Sequence, residues 1–145
     1  MIKIRNFSPE DADKVCSFKR ESTKVNFPGC EFNSEMFKKL LLSSSKRHPE
    51  CVKIAEDDGK VVGYIWFKVI DSAMGKFGRM EHLFVDEAYR EKGLGRKLVE
   101  EAEGHCRKQG VKKVKLTVTT TNETAISLYK DMGYEIKRYR MEKDL

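Results

Sequence analysis

The sequence predicts one α/β domain: a mixed β-sheet flanked by about four helices, with elements in the order β-α-α-β-β-β-α-β-α-β. Three observations carry this. Asp57-Asp58-Gly59 separates two β-type runs and is a strong hairpin signal. Leu94, Leu98, Ala102 and Cys106 recur four apart and mark a long amphipathic helix directly behind a strand. Val114, Leu116 and Val118 then alternate with Lys113, Lys115, Thr117 and Thr119, so a strand–helix–strand crossover follows the hairpins. At 145 residues, with no repeat, low-complexity tract or linker, residues 1–145 read as a single domain.

The elements follow in order. Ile2–Arg5 alternates as a first strand. Ser8 then caps a helix with Pro9 at its favoured first position, and that helix runs to about Thr23. Asn26-Phe27-Pro28-Gly29 breaks it. Ser34 is read as the cap of a second helix ending near Lys46. Cys51–Glu56 and Lys60–Ile70 form the hairpin, Ala73-Met74-Gly75-Lys76 turns the chain, and Gly78–Val85 is a further strand. The long helix spans Gly93–Gln109, and Gly110 closes it in the manner of a left-handed cap. Asn122 caps a short helix carrying Ile126, Leu128, Tyr129 and Met132, which Gly133 stops. Tyr134–Met141 is expected to be a last strand.

Composition excludes several classes. No apolar run approaches the ~20 residues that a membrane helix needs. Met1-Ile2-Lys3-Ile4-Arg5 lacks the apolar core of a signal peptide, so no membrane role and a cytoplasmic location are expected. The four cysteines, Cys16, Cys30, Cys51 and Cys106, include no C-x-x-C pair, and with His48, His82 and His105 they make no zinc spacing. Reduced thiols and no metal are the expectation. The formal charge of +6 is spread along the chain, which does not indicate a nucleic-acid groove.

The chemistry concentrates between Leu83 and Arg96. An apolar strand runs through a polar turn into a helix start interrupted by Gly93 and Gly95, where free N–H groups and the helix dipole suit a phosphate. The segment has neither the G-x-G-x-x-G nor the G-x-x-x-x-G-K-[ST] spacing, so it is no dinucleotide or nucleotide-hydrolase loop.

Arg90, Gly93 and Gly95 fill the pattern of Arg or Gln, two residues, Gly, one residue, then Gly or Ala. This resembles the acetyl-CoA signature of the GCN5-related N-acetyltransferase (GNAT) superfamily. Leu83-Phe84-Val85-Asp86 is similar to the family's lead-in strand, and Asn122–Tyr134 is similar to its second motif, N-x-x-A-x-x-L-Y-x-x-x-G-[FY]. The element order matches the family fold from about Ile2 to Met141.

The resemblance implies acetyl-CoA as co-substrate. Its pyrophosphate would lie on the amides of Glu91, Lys92, Gly93, Leu94, Gly95 and Arg96. Its pantetheine arm would pair with Leu83, Phe84 and Val85 where two parallel strands splay at a β-bulge. Arg90 belongs to the signature, although its side chain need not touch phosphate. Asn122 is a helix cap that could also touch the arm. Tyr129 would serve as general acid to the departing thiolate, against the plain alternative of a core tyrosine.

Glu81 is the base expected to deprotonate the amine. By strand parity it shares a face with Leu83 and Val85, in apolar surroundings, while His82 points the other way and ranks below it. A backbone N–H near Leu83 or Phe84 would hold the oxyanion. The loops Val25–Phe32 and Asp71–Phe77, with Phe27, Phe32, Tyr64, Trp66 and Tyr139, are the expected acceptor surroundings. Glu31, Glu81 and Asp71 together would favour a polyamine-like cation. The expected partner is a small-molecule amine or a peptide or protein amine, and the family leaves room for a homodimer. The competing reading is a non-catalytic acyl-CoA-binding module on the same fold.

Overall fold

A computed structural model describes all residues from Met1 to Leu145. The strands are β1 (Ile2–Asn6), β2 (Val52–Asp57), β3 (Lys60–Ser72), β4 (Gly75–Val85) and β5 (Val114–Leu116). The α-helices are α1 (Ala12–Asn26), α2 (Ser34–Arg47), α3 (Leu94–Lys108) and α4 (Glu123–Asp131). Short 3₁₀ turns cover Pro9–Asp11, Pro49–Cys51 and Glu87–Tyr89. The sheet order is β1-β2-β3-β4-β5, antiparallel as far as β4 and parallel between β4 and β5. No helix is long and apolar enough to cross a membrane.

Local chemistry explains the boundaries. Ser8 N–H donates to the Asp11 carboxylate at 2.8 Å, which starts a 3₁₀ turn at Pro9 before α1 proper. Asp58 and Gly59 both take positive φ (48° and 84°), the demand of a type I′ hairpin turn. The cap of α2 is Asn33, whose side chain accepts from the Met36 amide at 3.0 Å; Ser34, expected there, is the first helical residue. An asparagine one residue earlier meets the same requirement, because its oxygen reaches the amide three positions on.

Each face of the sheet carries its own core. On one, α3 and Tyr129 of α4 pack Leu94, Leu98, Val99 and Ala102 against Ile65, Phe67 and Met80. On the other, α1 and α2 pack Val15, Phe18, Phe37 and Leu41 against Tyr64, Trp66 and Phe84. The buried Val, Leu, Ile, Phe and Met side chains among these contribute roughly 1.5–3 kcal/mol each through apolar burial. Cys16, Cys51 and Cys106 are buried and Cys30 is exposed, all as free thiols.

The expected last strand over Tyr134–Met141 does not form; the chain beyond α4 has no regular structure. Past Tyr134 no backbone group bonds the sheet. Ile136 is 67% exposed and Tyr139 93%, so neither parity of the alternating pattern is covered. Alternation marks a strand only where a ladder partner exists, and β5 pairs over just three positions.

Candidate active site

The site begins where β4 and β5 part. Their ladder joins Gly78 to Val114, Arg79 to Lys115 and Met80 to Leu116, then ends. From His82 to Val85 β4 pairs with β3 alone, and from Glu81 onward its other edge is free. A free parallel edge offers N–H and C=O groups to any extended ligand carrying amides.

A β-bulge lies at the same place. Trp66 of β3 faces His82 and Phe67 faces Met80, so Glu81 is the extra residue. The added residue shifts parity, and this corrects the expected placement of Glu81 with Leu83 and Val85. Leu83 and Val85 pack toward α3, while His82 and Phe84 turn toward α1 and α2. Glu81 is held by the guanidinium of Arg79 rather than lying in apolar surroundings. An i, i+2 Arg–Glu pair on a strand is a signal legible in sequence that the parity reading passed over.

His82 stands between Phe37 (ring centroids 5.6 Å apart) and Trp66 (5.4 Å). Burial, with Lys19 and Lys68 nearby, pushes its imidazole down to about 3. It is neutral through the physiological range and a weak base.

Beyond the free edge lies the loop into α3. Glu91 and Gly93 both take left-handed backbone (φ 62° and 80°), and Gly93 caps α3 without a side-chain hydrogen bond. The amides of Glu91, Lys92, Gly93, Leu94, Gly95 and Arg96 bond no carbonyl or side chain, and the ladder of α3 starts only with Lys97 N–H to Gly93 O at 3.1 Å. These unbonded donors lie in sequence at the positive end of the helix dipole, a receptacle suited to an anion. A Cβ on Gly95 would stand 3.4 Å from Leu128 and 3.9 Å from Val85, so glycine lets α3 approach both α4 and β4.

Arg90 does not point at this receptacle. Its Nε donates to the Val85 carbonyl at 2.8 Å and its guanidinium lies 5.3 Å from the Phe84 ring, so it ties the loop to the strand end. Tyr89 ties the other side through its hydroxyl to Asp57 at 2.8 Å. Neither bond was anticipated, since both join residues far apart in sequence or through the backbone.

On the far wall Asn122 accepts from the Ala125 amide at 3.1 Å, capping α4, and its side-chain nitrogen donates to Asn26 at the end of α1 at 3.4 Å. Tyr129 is buried, and burial pushes its phenol up to about 12. Its ring meets Tyr134 edge-on at 5.5 Å, and its hydroxyl has no protein hydrogen-bond partner. The phenol therefore stays a proton donor at any ordinary pH.

Of the aromatics expected around an acceptor, Tyr64 and Trp66 are core residues, Phe32 packs on Phe37 at 5.5 Å, and Tyr139 lies on the exposed C-terminal segment. Glu31, Glu81 and Asp71 do not form one acidic group: Glu81 is paired with Arg79, and Asp71 stands across from Lys76. Two open clefts lie away from the loop. One of about 300 Å³ runs between α1 and α2, and one of about 560 Å³ runs beside His48, Lys68 and His105.

The site thus joins a mostly antiparallel sheet, opened by one parallel crossover, to a run of unbonded amides at the mouth of the opening. The Acetyltransferase (GNAT) family matches residues 15–134, and the chain belongs to that family. An uncharacterized N-acetyltransferase of Methanocaldococcus jannaschii is 30% identical over 136 residues, covering 93% of this chain and 79% of that protein. An N-alpha-acetyltransferase of Sulfurisphaera tokodaii is 29% identical over 149 residues, 95% of this chain and 83% of that one. Against other curated relatives the chain spans less, 61%, 59% and 48% of their lengths. Among solved structures, a GCN5-related N-acetyltransferase from Ralstonia eutropha JMP134 shares the fold with a TM-score of 0.82 at 22% identity, covering 100% and 99% of the two chains. A predicted acetyltransferase with acetyl-CoA from Clostridium acetobutylicum does so with a TM-score of 0.81 at 14% identity, covering 99% and 96%.

Proposed function

We propose that this chain is an acetyl-CoA-dependent N-acetyltransferase that passes the acetyl group directly to a primary amine in a ternary complex, working as one domain. The observation that carries this is the unbroken run of free amides from Glu91 to Arg96 beside the free edge of β4. That pairing suits a ligand with a pyrophosphate at one end and amides along its arm. When bound, acetyl-CoA supplies the activated thioester.

The chain's own groups supply the rest. Glu81 takes the proton that the amine loses, directly or through water, once Arg79 lets it turn. The N–C bond to the acetyl carbon forms as the C–S bond breaks. Tyr129 gives its proton to the departing sulfur, and coenzyme A leaves as the thiol. A backbone N–H near Leu83 or Phe84, on the unpaired edge, faces the developing oxyanion. Three of the cysteines are buried and Cys30 is on the α1–α2 connection, so none is set beside a base for a covalent route.

The test is thiol release from acetyl-CoA over a panel of amines and peptides, with Tyr129→Phe and Glu81→Gln. Both variants are expected to bind acetyl-CoA as the parent does, since neither removes an amide of the receptacle. Tyr129→Phe should lower kcat about 100-fold, and Glu81→Gln about 10- to 100-fold at neutral pH with recovery toward high pH. Binding retained with turnover unchanged in both would leave only an acyl-CoA-binding module.

A further inference from the structure

Three cations stand side by side across the sheet at the point where β4 and β5 part. Lys68 of β3 is the register partner of Arg79 of β4, and Arg79 is the register partner of Lys115 of β5. Register partners project from one face, so the three side chains form a single row. The neighbours Val69, Met80, Val114 and Leu116 pack toward α3. The row therefore faces the α1/α2 side, the side of His82 and Trp66.

Like charges set directly opposite one another destabilise a sheet. Here they are scarcely neutralised. Arg79 pairs with Glu81, but Lys68 and Lys115 make no ion pair; they lie 5.7 Å from the Trp66 ring and 4.2 Å from the Phe77 ring. A fourth cation, Lys19 of α1, is half-buried, likewise without an ion pair, and acts with Lys68 on His82. Asp71, the nearest acid along β3, falls on the other face by strand alternation and stands across from Lys76. The indole N–H of Trp66, beside Lys68, is the one buried side-chain polar atom without a hydrogen-bond partner. Four cations and an idle donor thus lie beside one carboxylate already engaged by Arg79, next to the end of the Met80–Leu116 pair, while Glu50 and Asp71 border the cleft that Lys68 also lines.

We infer that the acceptor amine carries an anionic group, a carboxylate or a phosphate, which pairs with Lys68 and Lys115 while the amine is presented at the opening between β4 and β5. This rests on the acetyl-transfer reading above, and it reverses the polyamine-like acceptor expected from the sequence.

The experiment uses matched amines: an amino acid against its amide for the carboxylate, and glucosamine 6-phosphate against glucosamine for the phosphate, with spermidine as the polycation. Thiol release is measured alongside the fluorescence of Trp66, the protein's single tryptophan, in chain saturated with coenzyme A. The anionic member of at least one pair is expected to show a kcat/KM or a binding constant tenfold or more better than its neutral twin. Lys68→Met with Lys115→Met should erase that preference, raising KM or Kd about tenfold for the anionic member and leaving the neutral one unmoved. Equal or better handling of the neutral amines or of spermidine, or no saturable response to either anionic amine, overturns the inference. Calorimetry with acetyl-CoA separates the two readings: if the cofactor binds while anionic amines are ignored, only this inference falls, and if the cofactor does not bind, the acetyl-transfer reading falls first.

Discussion

The opening between β4 and β5 is built from different materials on its two sides. Toward α3 the groups on offer are backbone: the free edge of Glu81–Val85 and the amides of Glu91–Arg96. Toward α1 and α2 they are side chains: Glu81 with Arg79, His82 among aromatics, and the row Lys68, Arg79 and Lys115. Backbone recognition tolerates most substitutions and fails when the chain path moves. Side-chain recognition changes with every replacement and leaves the path intact. On the reading proposed above, the first is the cofactor side, where geometry should matter most, and the second is the acceptor side, where charge should.

The comparison can be broken or sharpened by three variants, in falling order of effect. Gly63 lies directly behind the cofactor edge, and a Cβ there would come within 2.8 Å of the Phe84 carbonyl, a contact the backbone must yield to. Gly63→Ala should cost about 3 kcal/mol in urea unfolding and weaken acetyl-CoA binding by displacing β4. Unaltered cofactor affinity would mean that the path of β4 does not set the site.

His82 tests the acceptor side. Its folded pKa lies below its unfolded value, so below pH 6.5 the unfolded chain binds the extra proton and stability falls as pH drops toward 3. At pH 4.5, two units below the ordinary histidine value, this amounts to about 2–3 kcal/mol. His82→Leu should remove that loss, measured as the difference in unfolding free energy between pH 7.5 and pH 4.5, and leave acetyl-CoA affinity unchanged. A matching acid loss in the variant would place the cause elsewhere, among carboxylates such as Asp11 that Arg5 and the Ser8 amide help to hold below the usual range against burial.

Arg90→Ala should have the smallest effect. It removes the bond to the Val85 carbonyl and the contact with Phe84, about 1 kcal/mol of loop bracing, and should weaken acetyl-CoA a few-fold with no change in acceptor preference. A loss of a hundredfold would instead assign its guanidinium to the phosphate.

This division also governs what could be read in the sequence. The receptacle was legible because it is local: one strand end, two glycines and one amphipathic helix follow one another in the chain, and Asn122 and Tyr129 stand on a short helix with its own cap. The acceptor side was not, because its relations are between strands. Lys68, Arg79 and Lys115 are far apart in sequence and become neighbours only through register. The parity of Glu81 failed because a bulge leaves no mark in a residue pattern. The strand expected over Tyr134–Met141 failed for a related reason, since alternation states which residues would share a face and nothing about whether a partner edge is present.

The bulge at Glu81 has a broader consequence. A perfectly regular ladder would send Leu83 and Val85 to the same side as Arg79, and His82 and Phe84 to the side of Met80. Ironing out the bulge with Glu81 retained in the ladder would therefore trade the contents of the two cores from that point to the loop, with an imidazole driven in beside Leu98 and two aliphatic side chains turned toward Phe37. One surplus residue acts as the molecule's reading-frame marker: upstream of it one set of parities faces the two cores, and downstream the opposite set does.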